Sequence, residues 1–315
     1  MQRFSTSLKA NGSLTLGGIM AAAREAFAKL KAIDIHVHAE VSCHDPEDPI
    51  FGEFADAATH YFKAPRRRPT IPETIAYYRE RQIGFVMFTV DMEAGTGIKR
   101  IRNEEIAQAA ADNSDIMIAF ASIDPHKGKR GAIEARDLIE NHGVRGFKFH
   151  PPIQNFDPGD RMAWPLYEVI DHYRLPVIFH TGHSGMGSGM PAGGGIRLKY
   201  GQPMLVDDVA VDFPDMKIIL AHPGWPWTDE SLSMALHKPN IFIDLSGWSP
   251  RYFPEQIIRY ANGQLGHKFL FGSDFPLIPP GKWIAAFDEA GFKPHLRDPI
   301  LRDNALNLLF GKDDA

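Results

Sequence analysis

The segment Ala32-Ile33-Asp34-Ile35-His36-Val37-His38-Ala39-Glu40 reads as a strand that closes on a pair of imidazoles. Side chains two apart on an extended chain point the same way, so His36 and His38 share one face. Two imidazoles side by side at a strand end can hold one metal ion. A His-x-His alone also suits two partly exposed strand histidines. Its weight comes from what recurs further along, where single His and Asp residues close later strands of the same kind.

Working outward, helix-like and strand-like stretches alternate. Pro72 to Arg81 suits a helix that Gly84 ends before the strand-like Phe85 to Val90. Helical Ile101 to Asp112 then leads into Ile116 to Ile123, and Ala132 to Asn141 stops at Gly143 before Val144 to His150. Pro165 to Tyr173 precedes Pro176 to Thr181, and Leu205 to Phe213 precedes Lys217 to His222. Glu230 to His237 precedes Ile241 to Leu245, Pro254 to Asn262 precedes Lys268 to Asp274, and helices over Trp283 to Ala290 and Pro299 to Phe310 finish the series. Apolar runs such as Lys217-Ile218-Ile219-Leu220-Ala221 fit parallel strands buried on both faces. Eight such units predict a (β/α)8 TIM barrel over residues 32–315, read as one catalytic domain after a tail and a leading helix, Met20 to Lys31. An open doubly wound sheet would carry a glycine-rich phosphate turn where His-x-His-Ala-Glu stands. Two long connections stand out. His44 to Arg68 has no clean period and reads as a loop that lids or binds, and Gly182 to Gly201 reads as an extended glycine-rich loop after the fifth strand.

Composition narrows the function classes. The chain of 315 residues has a net charge of -5 and a pI near 6.3, which offers no field for nucleic acid or an anionic membrane. No apolar run approaches the roughly 18 residues of a membrane span. A single cysteine, Cys43, rules out an intrachain disulfide. The first 31 residues lack the unbroken apolar core of a secretory signal, so the cytoplasm is the expected location. Arg66-Arg67-Arg68 reads as a solvated charge run or, more sharply, an anion site.

In a barrel the carboxyl ends of the strands meet at one mouth. Taken in order those ends supply His36 and His38, Lys148 and His150, His180, His222, and Asp274. Imidazoles from His36, His38 and His180 with the Asp274 carboxylate would make a nitrogen and oxygen site for one divalent ion. Zinc suits it best, with Mn2+, Fe2+ or Co2+ as alternatives. Because ligating imidazoles must be neutral, metal loss is expected below about pH 6.

These motifs resemble the amidohydrolase superfamily, most closely the branch containing aminocarboxymuconate-semialdehyde decarboxylase, resorcylate decarboxylases and related hydrolases. The resemblance runs from Ile33 to Phe310 on Asp34-Ile35-His36-Val37-His38, Val144-Arg145-Gly146-Phe147-Lys148-Phe149-His150-Pro151, Phe179-His180-Thr181-Gly182, Leu220-Ala221-His222-Pro223-Gly224 and Phe271-Gly272-Ser273-Asp274-Phe275-Pro276. It implies His36, His38, His180 and Asp274 as ligands of one metal, and His222 as a histidine that contacts substrate or water. Other branches carry a carboxylated, metal-bridging lysine near the place of Lys148, but this branch is usually mononuclear, and its members are often homodimers.

The implied chemistry is hydrolysis of a carbonyl compound by metal-activated water, with Asp274 and His222 handling the proton. Similar ligands in the same branch support non-oxidative decarboxylation of aromatic or muconate-like acids, and a non-catalytic ligand-binding barrel is a third reading. Trp225, Trp227 and Trp248 follow strand ends and suit a wall for a planar small-molecule substrate. Lys148, His150, His183, Arg197, Lys199, Tyr200 and Arg251 are candidate pocket residues. The run Gly193-Gly194-Gly195-Ile196-Arg197-Leu198-Lys199-Tyr200 is similar to loops of hydrolases of aryl β-ketoacyl thioesters.

Overall fold

The computed structural model describes residues 16–62 and 68–311. Arg66, Arg67 and most of the expected N-terminal tail lie outside the described residues. Among the described residues eight short strands follow one another: β1 (Ala32–His38), β2 (Ile83–Phe88), β3 (Met117–Ala119), β4 (Phe147–Phe149), β5 (Val177–His180), β6 (Ile218–Ala221), β7 (Ile241–Asp244) and β8 (Phe269–Leu270). Each ladder is parallel, from β1 to β3 and from β4 to β8. Two seams join these sets into a closed barrel. Ala121 bridges Phe147, with Lys148 N donating to Ala121 O at 2.7 Å. Across the other seam Val37 bridges Phe275, and Asp274 N donates to His36 O at 3.0 Å.

The strands alternate between two apolar layers. Phe85, Met87, Phe147, Phe149, Val177, Phe179, Ile218 and Leu220 pack outward in one cluster with the helices. Val86, Phe88, Ile118, Phe120, Ile178, Ile219 and Leu270 form a second cluster that fills the barrel, closed at its base by Phe27 and Leu306. Following the inward positions upward by two residues leads from Ile178 to His180 and from Phe242 to Asp244. The functional layer is therefore the next storey of the same core.

Local signals set the element ends. Thr70 and Glu73 form a reciprocal capping box at the start of helix Ile71–Arg81, and Gly143, at φ 73°, closes Lys129–His142. Three expectations need correction. His44 to Arg68 is not a structureless loop, because Pro49–Phe62 is helical, and its residue Phe54 is buried in a small apolar cluster with Val90, Met92, Ile98 and Ile153. The leading helix spans Leu16–Ala28 rather than starting at Met20. Most strands also leave the ladder earlier than their apolar runs suggest, and at β6 and β8 the departing residues are His222 and Asp274. Among the described residues no helix is long and apolar enough to cross a membrane.

Candidate metal centre

At the carboxyl mouth, donor atoms of His36, His38 and Asp274 all lie within 4.8 Å of one another. Asp274 Oδ1 stands 3.3 Å from His36 Nε2 and 3.0 Å from His38 Nε2. β1 supplies both imidazoles, and an irregularity in its register between Asp34 and Val37 accompanies their turn toward the mouth. Asp274 arrives from the seam beyond β8. Both Asp274 (φ 64°) and His222 (φ 72°) adopt the left-handed conformation. Ordinary residues rarely do so, and such strain concentrates where a side chain must be aimed.

A second group adjoins the first. His222 Nε2 faces His180 Nδ1 at 2.9 Å, and the His180 ring stacks on His150 with centroids 3.7 Å apart. The His36 and His222 rings lie 5.1 Å apart, so the two groups share one wall. His180 falls outside the tight cluster of three; its Nδ1 converges with His222 Nε2 beside it. Lys148 is fully buried, with Nζ 3.2 Å from His36 Nε2 and 5.0 Å from the Phe88 ring centroid.

Burial governs the charge states. It drives His36, His150 and His180 well below the ordinary imidazole range, and the charge of Lys148 acts the same way. His222 is lowered to about 4 by burial, against the pull of Asp274. Burial also opposes ionisation of Asp274, but His36 and His38, joined by His222, outweigh it and hold the carboxyl well below its usual range. Lys148 is lowered by burial to about 8 against the attraction of Asp274 and Asp244, which leaves it mostly cationic at neutral pH. Neutral imidazoles around an ionised carboxylate are the donor set a divalent ion of the zinc or manganese type takes.

Two residues of this site escaped the sequence reading. Asp244 Oδ2 lies 2.5 Å from His36 Nδ1, and Ser246 Oγ lies 3.0 Å from both His36 Nδ1 and His222 Nδ1. All three residues beside Oγ are buried. The signal was present: Asp244 ends the apolar run Ile241-Phe242-Ile243, as His180 ends β5.

The remaining candidates form a looser rim. The Trp225 ring lies 5.8 Å from those of His183 and Trp248, an aromatic wall with Trp225 half exposed. Arg197 is exposed and donates to Asn155 Oδ1 at 2.9 Å, while Lys199 lies over the Tyr200 ring. Arg251 pairs with Glu289 on the surface. Arg68 is held by Glu47 and lies 3.8 Å from Glu40.

A closed eight-stranded barrel with ionisable donors gathered at its carboxyl mouth defines the class as a barrel enzyme with a metal-type site. The family model for amidohydrolases matches residues 33–311, and the chain belongs to that family. It is thus an enzyme of the amidohydrolase superfamily, a hydrolase or a carboxy-lyase. No curated protein matches it. Among solved structures, an uncharacterised TIM-barrel protein from Bordetella bronchiseptica is similar at 22% identity and a TM-score of 0.72, covering 89% of this chain and 99% of that one. The 5-carboxyvanillate decarboxylase of Sphingomonas paucimobilis is similar at 16% identity and a TM-score of 0.61 over 89% and 99% of the two chains. That of Novosphingobium aromaticivorans, complexed with manganese and a nitrobenzoic acid, is similar at 13% identity and 0.64 over 89% and 96%. At these identities the likeness is one of fold.

Proposed function

We propose that this chain is a metal-dependent hydrolase of a planar, carbonyl-containing and carboxylated small molecule. The observation that carries the reading is the ionised Asp274 carboxylate shared between His36 Nε2 and His38 Nε2. His36, His38 and Asp274 would hold the ion, with His180 closing the set. A divalent ion in such a place supplies a Lewis acid that polarises a carbonyl and lowers the pKa of water toward neutrality. Asp274 has an oxygen to accept the proton of an attacking water. His222, neutral and with Nε2 turned toward the site, can take that proton onward or steady a developing oxyanion. Lys148 offers a buried cation to a substrate carboxylate.

A second reading, non-oxidative decarboxylation of an aromatic acid, is favoured by the Trp225, Trp248 and His183 wall and by the same Lys148. The 5-carboxyvanillate decarboxylases that share the fold act on such acids. One experiment separates the two. The protein is loaded with zinc or manganese and offered aryl carboxylates, lactones and acyl thioesters in H2(18)O and in D2O. Hydrolysis places heavy oxygen in the released acid, whereas decarboxylation releases carbon dioxide and places deuterium on ring carbon. A protein that binds no divalent ion would sink both readings.

A further inference from the structure

Asp244 and Ser246 sit behind the candidate ligands, on the side away from Asp274. Asp244 Oδ1 accepts the Ser246 backbone N–H at 2.7 Å, which leaves Oδ2 to meet His36 Nδ1 at 2.5 Å and the Ser246 hydroxyl at 2.9 Å. The same hydroxyl oxygen lies 3.0 Å from His222 Nδ1. Two glycines permit this approach. A Cβ on Gly272 would stand 2.3 Å from Asp244 Oδ1, and one on Gly247 would stand 2.5 Å from His222 Nδ1.

Proton counting gives the cluster a direction. Ser246 Oγ carries a single proton. A buried carboxylate is the stronger acceptor, so that proton goes to Asp244 Oδ2. Oγ can then meet His222 only by accepting, which requires the proton on His222 Nδ1. His36 faces carboxylate oxygens on both sides, Asp244 Oδ2 at 2.5 Å from Nδ1 and Asp274 Oδ1 at 3.3 Å from Nε2. The Lys148 ammonium, 3.2 Å from Nε2, can only donate, so His36 accepts there and carries its own proton on Nδ1. We propose that Asp244 and Ser246 are positioning residues that fix both His36 and His222 as their Nδ1–H tautomers. Both Nε2 lone pairs then face the mouth, where His36 Nε2 accepts from Lys148 Nζ and His222 Nε2 meets His180 Nδ1. One carboxylate thereby orients two imidazoles, His36 on β1 directly and His222, just past β6, through a hydroxyl.

This rests on the proposed metal site for its purpose, but it is testable without an ion. Long-range proton–nitrogen correlation spectra of metal-free, (15)N-histidine-labelled protein at pH 7.5 report which ring nitrogen of each neutral histidine is protonated. The expected result is Nδ1–H for His36 and His222. In Ser246→Ala, His222 should shift toward Nε2–H while His36 keeps Nδ1–H, which also shows that the site remains folded. Zinc affinity of Asp244→Asn, which takes the carboxylate from behind the ligand His36, should fall about 10-fold or more when read by competition with a chelating dye. Nε2–H at either histidine in the wild type overturns the proposal without need of a variant, and so does an unchanged His222 in Ser246→Ala. If the tautomers are as stated but the wild type takes no zinc or manganese, the positioning stands and the metal reading fails.

Discussion

Lys148 Nζ lies 3.2 Å from His36 Nε2, so a buried ammonium occupies the lone pair that an ion would need. With its pKa lowered by burial only to about 8, Lys148 is largely charged at pH 7 and repels a divalent cation nearby. Lys148→Met should therefore tighten zinc or manganese binding, by on the order of 1 kcal/mol or more, while abolishing turnover of a carboxylated substrate. If Lys148 were instead carboxylated and bridging, the variant would lose metal. Titration followed by elemental analysis tells these outcomes apart.

Acid should act on the metal-free protein first. Burial lowers His36, His150 and His180 well below the ordinary value and His222 to about 4, so on acidification the unfolded chain takes up protons that the folded state refuses. Stability is then full above the unfolded histidine pKa near ~6.5 and falls as pH drops from there toward the folded values. Metal retention follows the folded pKa values, so an ion should survive to lower pH than the value of about 6 expected for ordinary imidazoles. Urea melts of the metal-free protein and metal content of the loaded protein, both between pH 7 and 4.5, check the two windows. Metal loss complete at pH 6 would contradict the burial argument.

Much of this site was legible because a barrel converts strand order into place. His36, His38, His222 and Asp274 stand at or beside the end of apolar runs, and the structure gathers them at one mouth. Asp244 obeys the same rule, but in sequence a lone carboxylate after Ile243 resembles a loop cap, and only His36 Nδ1 beside it gives it meaning. Ser246 could not be read at all, for a serine acquires meaning only from the three polar atoms around its hydroxyl. Helix Pro49–Phe62 was missed because Pro49, Gly52 and scattered aromatics blur its period. Tertiary burial of Phe54, rather than local propensity, holds it.

The acid Asp34 of the opening segment is structural rather than ligating. It accepts from Tyr78 Oη at 2.7 Å, from Ser273 N at 3.0 Å, from Ser273 Oγ and from His36 N, tying β1 to helix Ile71–Arg81 and to the residue before Asp274. Tyr78→Phe removes one donor and should cost about 1–2 kcal/mol. Asp34→Ala strands several buried donors at once and should cost about 3 kcal/mol or more. Urea denaturation of metal-free protein measures both. Equal losses in the two variants would show that Asp34 is not the hub.

Helix Pro49–Phe62 and the glycine-rich segment meet over the mouth in an apolar cluster of their own. Phe54 packs there with Val90, Met92, Ile98 and Ile153, and Phe51, Met186, Met190 and Ile196 cover it. Val90 and Met92 follow β2 and Ile153 follows β4, so the cluster stands on the carboxyl side of the barrel and apart from its two larger apolar layers. A unit held by a separate small cluster opens separately. Phe54→Ala forfeits about 3 kcal/mol of that packing, so amide exchange across 49–62 and 182–201 should quicken on the order of 100-fold while β5 to β7 exchange at wild-type rates. Exchange that rises equally in the strands would mean that the helix is part of the barrel core.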